Sequence, residues 1–272
     1  MIAQDFAYVR PDTKEQAALL FREFAEPFYY GGGSEIITMC RAGALEPDAV
    51  IDLKGIPEAG VLAIEGDALV LGGCVSLRQI KDSKLFPLLS SVCGRIADHT
   101  NQCRITLGGN LCGEIRYRET ALALLLTDAD VVLFGPDGSR TASIHAIFDG
   151  RMRLLPGEFV LQARIPAAYL ALPFTHVKKT AAEKIDYPLI SLCALSCPEG
   201  VRIALSGLLE TPFRSQALET ALNNRAESRE LRLQNALACL PGEPIADYQG
   251  SAAYRRFVLG QTLSATMEVM GL

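Results

Sequence analysis

An α+β fold in two parts is what the sequence predicts, and three observations predict it. From Phe6 to Ile165, short strand-like and helix-like segments alternate. Beyond a break bracketed by Pro166 and Pro173, three strand-like runs precede three helix-like ones. A length of 272 residues, 49 % of them apolar, suffices for one large core or two smaller ones. The boundary is drawn at 165/166, giving a first domain over 1–165 and a smaller α+β domain, an antiparallel sheet plus helices, over 166–272.

The elements follow in chain order. Phe6 to Val9 reads as a strand. Thr13-x-x-Gln16 fits a capping box for a helix whose apolar residues Ala17, Leu20, Phe21 and Phe24 recur at helical spacing, and Pro27 ends it. Next come the apolar run Phe28 to Tyr30, a glycine triplet and a short helix over Ile36 to Arg41, an order of strand, glycine turn, helix. Val50 to Leu53 reads as a strand, and Val61 to Glu65 with Ala68 to Leu71 as a hairpin about Gly66-Asp67. Ser76 caps a further helix. Pro87 to Ala97 and Thr120 to Leu126 carry helical periodicity, and Asp130 to Phe134 and Glu158 to Ile165 read as strands, with a turn at Gly135-Pro136-Asp137-Gly138. In the second part, Phe174 to Thr180, Leu189 to Cys197 and Val201 to Leu205 form a meander. Helices over Arg214 to Asn223, Glu227 to Cys239 and Ser251 to Met270 follow.

Composition narrows the function. A net charge of -5 with no basic run leaves nothing to neutralise a polyphosphate backbone, so no nucleic-acid partner is expected. The start lacks a basic n-region and an apolar h-region, and no aliphatic stretch is long enough for a bilayer. The expected location is the cytoplasm, with no membrane partner. Eight cysteines without a C-x-x-C pair read as buried thiols, and three scattered histidines complete no ligand set, so no metal site is expected. No nucleophile or acid–base pair stands out either. His99 lacks an identifiable partner and is assigned no chemistry.

What does stand out are two glycine-rich segments. In Tyr30-Gly31-Gly32-Gly33-Ser34-Glu35-Ile36, side chains vanish where the backbone passes from strand to helix, exposing successive N–H groups in a nest suited to an anion. The nearest basic residue along the chain, Arg41, is at least a helical turn away, so amides and the Ser34 hydroxyl must do the holding. Glu35 is expected to point away from any phosphate. The second segment, Thr106-Leu107-Gly108-Gly109-Asn110-Leu111, offers a second nest to grip an elongated ligand from the other side. Neither segment is a G-x-G-x-x-G fingerprint or a P-loop.

Together the segments resemble the FAD-binding component of the xanthine dehydrogenase and carbon monoxide dehydrogenase family of molybdenum hydroxylases, whose patterns run A-G-G-T-D-L and T-I-G-G-N; here they read GGGSEI and TLGGN. The likeness extends to Leu155-Pro156-Gly157-Glu158 before a strand ending Ile165-Pro166, and to Ala253-Tyr254-Arg255-Arg256 opening the last helix. It implies a two-lobed FAD domain of the PCMH type followed by a smaller α+β domain. Tyr29, Tyr30, Gly31, Gly32, Gly33, Ser34, Glu35 and Ile36 would line the diphosphate, and Thr106, Gly108, Gly109 and Asn110 would close from the other lobe. Glu119, Val160 and Lys178 fall in further cofactor-contacting positions. Gly31 stands where the family has a small apolar residue and Ser34 where it has threonine, and Thr100 to Arg104 lacks the usual arginine–asparagine pair.

The resemblance further implies an electron-transfer role: iron–sulfur centres on a partner reduce FAD, which reduces NAD or another acceptor. The expected partners are a molybdopterin-binding large subunit and a two-iron two-sulfur small subunit. Bland readings stand beside these. Lys178 with Lys179 suits a solvated strand end, Glu119 suits a helix cap before Thr120, and at least one of Tyr29 and Tyr30 is a core aromatic. Rival functions are a free-standing flavoprotein reductase and a scaffold or assembly factor that has lost FAD.

Overall fold

The computed structural model describes residues 5–182 and 185–272. Its first lobe is a β-α-β-α-β unit: β1 (Ala7–Val9), α1 (Lys14–Glu23), β2 (Pro27–Tyr30), α2 (Ser34–Arg41) and β3 (Ala49–Asp52). The strands form a parallel sheet in the order β1-β3-β2, with Tyr30 of β2 opposite Asp52 of β3, so both strands end at one level. Thr13 caps α1 as expected, accepting from the Gln16 amide. The reciprocal bond lands one residue early: the Gln16 side chain takes the Asp12 N–H. Helix α1 ends at Glu23, and Pro27 instead opens β2.

The second lobe comprises β4 (Leu62–Glu65), β5 (Ala68–Gly72), α3 (Leu77–Ser83), α4 (Pro87–Cys93), α5 (His99–Gln102), α6 (Leu107–Cys112), α7 (Thr120–Leu126), β6 (Asp130–Gly135), β7 (Gly138–Ser143), α8 (Ile144–Ile147) and β8 (Phe159–Pro166). Its five strands form an antiparallel sheet, β4-β5-β8-β6-β7. Leu77, Leu89, Leu107 and Leu122 carry α3, α4, α6 and α7 into one core with Leu71, Val131 and Ala163 of that sheet. Ser76 and Gln79 complete a full capping box at α3. The two lobes are joined where Ala17 and Ile51 of the first meet Phe134, Phe159 and Leu161 of the second.

The remainder is the expected meander and helices: β9 (Phe174–Thr180), β10 (Pro188–Cys197), β11 (Gly200–Ser206), β12 (Phe213–Arg214), α9 (Gln216–Asn223), α10 (Arg229–Ala238) and α11 (Ala252–Val269). The sheet order is β12-β11-β10-β9, antiparallel throughout. Strand β10 is buried on both faces: Ile190, Leu192 and Ala194 meet the helices, whereas Cys193, Leu195 and Cys197 join the core of the second lobe. Arg255 of α11, fully buried, donates to the carbonyls of Leu189 and Gly207 and to Asp247, each at 2.7 Å, pinning that helix to the sheet. Asp128, just past α7, accepts from Arg202 of β11 at 2.6 Å and Arg214 of β12 at 2.8 Å, tying the second lobe to the same sheet. The architecture is α+β, a two-lobed region followed by a smaller α+β one. Among the described residues, no helix is long and apolar enough to cross a membrane.

Candidate functional site

The first glycine segment lies at the carboxyl ends of β2 and β3, where open parallel sheets receive ligands. Gly33 is the N-cap of α2 in the left-handed region (φ +71°), and a Cβ there would collide with the Tyr30 ring. A Cβ on Gly32 would overlap the carbonyl of Arg104, which leads into the second segment. On Gly31 it would stand 2.7 Å from the Thr106 hydroxyl. The first segment therefore packs its bare backbone on the Arg104 carbonyl and the Thr106 side chain, as only side-chain-free residues allow. The first intrahelical bond of α2 runs from the Ile37 amide to the Gly33 carbonyl, and among the described residues the N–H groups from Gly31 to Ile36 have no protein acceptor. That row of open donors is a candidate cradle for an anion.

The second segment differs from the expectation of a second open nest. Thr106 caps the short helix α6, and its hydroxyl accepts from the Gly109 amide at 3.2 Å. The amides of Leu107, Gly108 and Asn110 go to the carbonyls of Val75, Gly73 and Thr106 at 2.8–2.9 Å. Its main-chain donors are consumed because the segment is stitched to the loop after β5. A Cβ on Gly108 would come 2.9 Å from the Gly73 carbonyl, and one on Gly73 would strike the carbonyl of Val160, which places Val160 beneath this stack. What the segment presents outward is the bare, exposed backbone of Gly109 and the Asn110 amide group. Asn110 uses its oxygen to accept from Thr120 Oγ1 at 2.6 Å, which turns its NH2 away from that contact.

Of the two tyrosines, Tyr29 is the core residue. It packs between Phe21 and Phe159, its hydroxyl donates to the Gly157 carbonyl at 2.9 Å, and burial pushes its phenol far above the ordinary range. Tyr30 lies beneath Gly33. The Glu35 carboxylate accepts from the Glu114 amide at 2.7 Å, so it binds the lobes together and is directed to that amide. A basic residue does reach the cradle, contrary to the sequence expectation. Lys54, just past β3, sits over the Tyr30 ring and donates to the Gly31 carbonyl at 2.8 Å. Only the pairing of β2 with β3 brings it there; its one sequence signal is its place directly after a strand.

Glu119, ahead of α7, and Lys178 of β9 form a buried ion pair at 2.9 Å, with side chains 4 % and 2 % exposed. The solvated-end reading fails, since Lys178 is buried while Lys179 is exposed; Glu119 does stand at the N-cap of α7, but its side chain makes no cap bond there. Lys178 also donates to the Arg95 carbonyl at 2.8 Å. Glu119 Oε1 is buried with no hydrogen-bond partner, an acceptor left over once the pair is made. Arg118, at φ +25°, turns the chain into this position and donates to the carbonyls of Gly113 and Gly150. His176, two residues before Lys178 on the same strand face, bonds Ser91 Oγ at 3.0 Å. Burial, then the nearby cations Arg95 and Lys178, hold its pKa down to about 4, so it is neutral. Among the described residues, the side-chain hydrogen bond of His99 is with the half-buried Arg78, at 3.0 Å.

Residues 4–168 match the family described as the FAD binding domain in molybdopterin dehydrogenase. The chain is 26 % identical to the carbon monoxide dehydrogenase medium chain of Hydrogenophaga pseudoflava, over 98 % of its own length and 97 % of that protein. It is 24 % identical to caffeine dehydrogenase subunit beta of a Pseudomonas species, over 96 % and 92 %. A solved structure of the Hydrogenophaga pseudoflava carbon monoxide dehydrogenase superposes with a TM-score of 0.88 at 25 % identity, covering 97 % of this chain and 96 % of that one.

Proposed function

The chain belongs to the FAD-binding family of molybdopterin dehydrogenases, and from this premise we propose that it is the electron-transfer subunit of a molybdenum hydroxylase, passing electrons from a partner's iron–sulfur centres through FAD to NAD or another acceptor. Membership makes it part of an oxidoreductase with an FAD-binding domain. The observation that carries the finer reading is the row of open amides from Gly31 to Ile36, facing a second glycine segment and lacking an acceptor among the described residues. Six N–H groups in one bend fit a diphosphate, which offers acceptors in every direction.

When bound, FAD supplies the redox chemistry. The chain's own residues bind and orient. Hydrogen bonds to a charged acceptor each contribute about 1.5–3 kcal/mol, so two or three convergent amides from Gly32, Gly33 and Ser34 suffice for tight retention. The Ser34 hydroxyl and the positive end of α2 add to them. Gly109 gives a flat surface against which the cofactor can lie, and the Asn110 NH2 supplies one side-chain donor. Glu119 Oε1 is left as an acceptor for an N–H or O–H of the cofactor, its carboxylate fixed by Lys178 on the other oxygen. Val160 closes the floor.

We take residues 1–165 as the cofactor-binding unit and 166–272 as the unit that completes its wall through Lys178; the family match ending at 168 supports that division. The relatives named medium chain and subunit beta support partners of the kind expected, a molybdopterin-binding large subunit and a two-iron two-sulfur small subunit.

A visible absorbance spectrum of the purified chain, before and after heat release of cofactor, tests the reading. Gly109→Asp sharpens it, because a side chain there meets only the Thr106 hydroxyl, at 3.0 Å, so the fold tolerates it while a carboxylate repels the diphosphate. Flavin bands should vanish with the melting temperature of the apo chain unchanged. Retained bands overturn the site, and a yellow chain that migrates alone and oxidises NADH overturns the complex in favour of a free-standing reductase.

A further inference from the structure

We propose that Lys54 is a positioning residue for the cofactor's diphosphate: it props the glycine bend and presents a positive charge at its edge. The inference rests on the FAD reading above and deepens it. The register of β2 on β3 places Asp52 opposite Tyr30, so the chain leaving β3 rises beside the glycine bend, and the side chain two residues on crosses to it. The Lys54 ammonium donates to the Gly31 carbonyl at 2.8 Å and to Asp52 Oδ1 at 2.7 Å, and lies 4.2 Å from the centre of the Tyr30 ring.

An ammonium has three N–H groups. Two are taken by these oxygens, and the third has no acceptor among the described residues. The side chain is 41 % exposed, so that donor is open to solvent beside the bend whose amides, from Gly31 to Ile36, are unpaired. Asp52 pairs with the ammonium at 2.7 Å, so what faces the bend is the positive end of an ion pair. The carboxylate is buried, and it is engaged by the Tyr8 hydroxyl on Oδ2 and by the Lys54 amide, at 3.0 Å, on Oδ1. Its place is behind the ammonium as an anchor, holding the long side chain in one direction. Amides alone would provide partial charges, whereas the ammonium adds a charged N–H donor beside them.

The test uses the full chain stripped of flavin and titrated with FAD at several ionic strengths, following flavin fluorescence. Lys54→Met should weaken FAD by about 10- to 100-fold, the effect of losing one charged hydrogen bond, and should flatten the salt dependence of binding. Lys54→Arg should bind within a few fold of wild type. Wild-type affinity in Lys54→Met, with Gly109→Asp still unable to bind, overturns the inference and leaves the FAD reading standing. Weak binding with an unchanged salt dependence reduces Lys54 to a structural prop and overturns its charge role. A wild-type chain that takes up no FAD removes the reading and the inference together.

Discussion

Lys178→Met is the substitution for which the structure gives the sharpest stability prediction. Methionine nearly matches the length of the lysine stem, so packing changes little while the ammonium disappears. Glu119, 4 % exposed, then has no partner on either oxygen: Oε1 lacks one already and Oε2 loses the 2.9 Å contact. The Arg95 carbonyl loses a 2.8 Å donor as well. Breaking a buried pair from one side costs about 3–5 kcal/mol, a large share of the roughly 5–15 kcal/mol that holds a protein together. With a urea m-value of about 3 kcal/mol/M for a chain of this size, the unfolding midpoint should fall by about 1–1.7 M. The assay is urea unfolding of the flavin-free chain by circular dichroism, since bound ligand would add its own stabilisation. Lys178→Met with Glu119→Leu removes both charges and should return most of the loss. A midpoint shift under about 0.3 M for the single variant, with the double variant worse, would refute the claim that these two groups depend on each other in a water-free site.

Other predictions follow from the same geometry. Gly32→Ala forces the bend off the Arg104 carbonyl and should abolish flavin retention, whereas Gly60→Ala, with open space around it, should leave the absorbance spectrum unchanged. His176 is held at about 4 in the fold against 6.5 in the open chain. Between those values the unfolded chain binds a proton that the folded one does not, so stability should fall by up to about 2–3 kcal/mol as pH drops from 6.5 to 4. In His176→Gln that part of the pH profile should be flat. Tyr29→Phe loses one buried hydrogen bond and should cost about 1 kcal/mol in denaturant melts with no change in flavin content.

Much of this was written in local sequence. Capping by Thr13 and Ser76, helical spacing in α1, the hairpin about Gly66-Asp67 and the run of strands then helices depend on neighbours a few residues apart, and each is found where the pattern puts it. The glycine triplet was legible as a bend for the same reason: an absent side chain is a local fact with a local consequence. Short elements such as α6 were not legible, because Leu107 to Cys112 turns into a helix on the strength of Val75 and Gly73 accepting its first amides.

The tertiary structure alone decided which donors stay open and which charges meet. Both glycine segments look alike in sequence, yet one keeps its amides and the other spends them, a difference set by what each packs against. Lys54 reaches Gly31 through the β2–β3 register, and Glu119 finds Lys178 across 59 residues of chain. Long-range partners of this kind follow from how sheets pair and cores close, and no window of neighbouring residues contains that information. The sequence specified an α+β chain with two side-chain-poor bends; folding left the amides of one open, spent those of the other on its neighbours, and buried the Glu119–Lys178 pair.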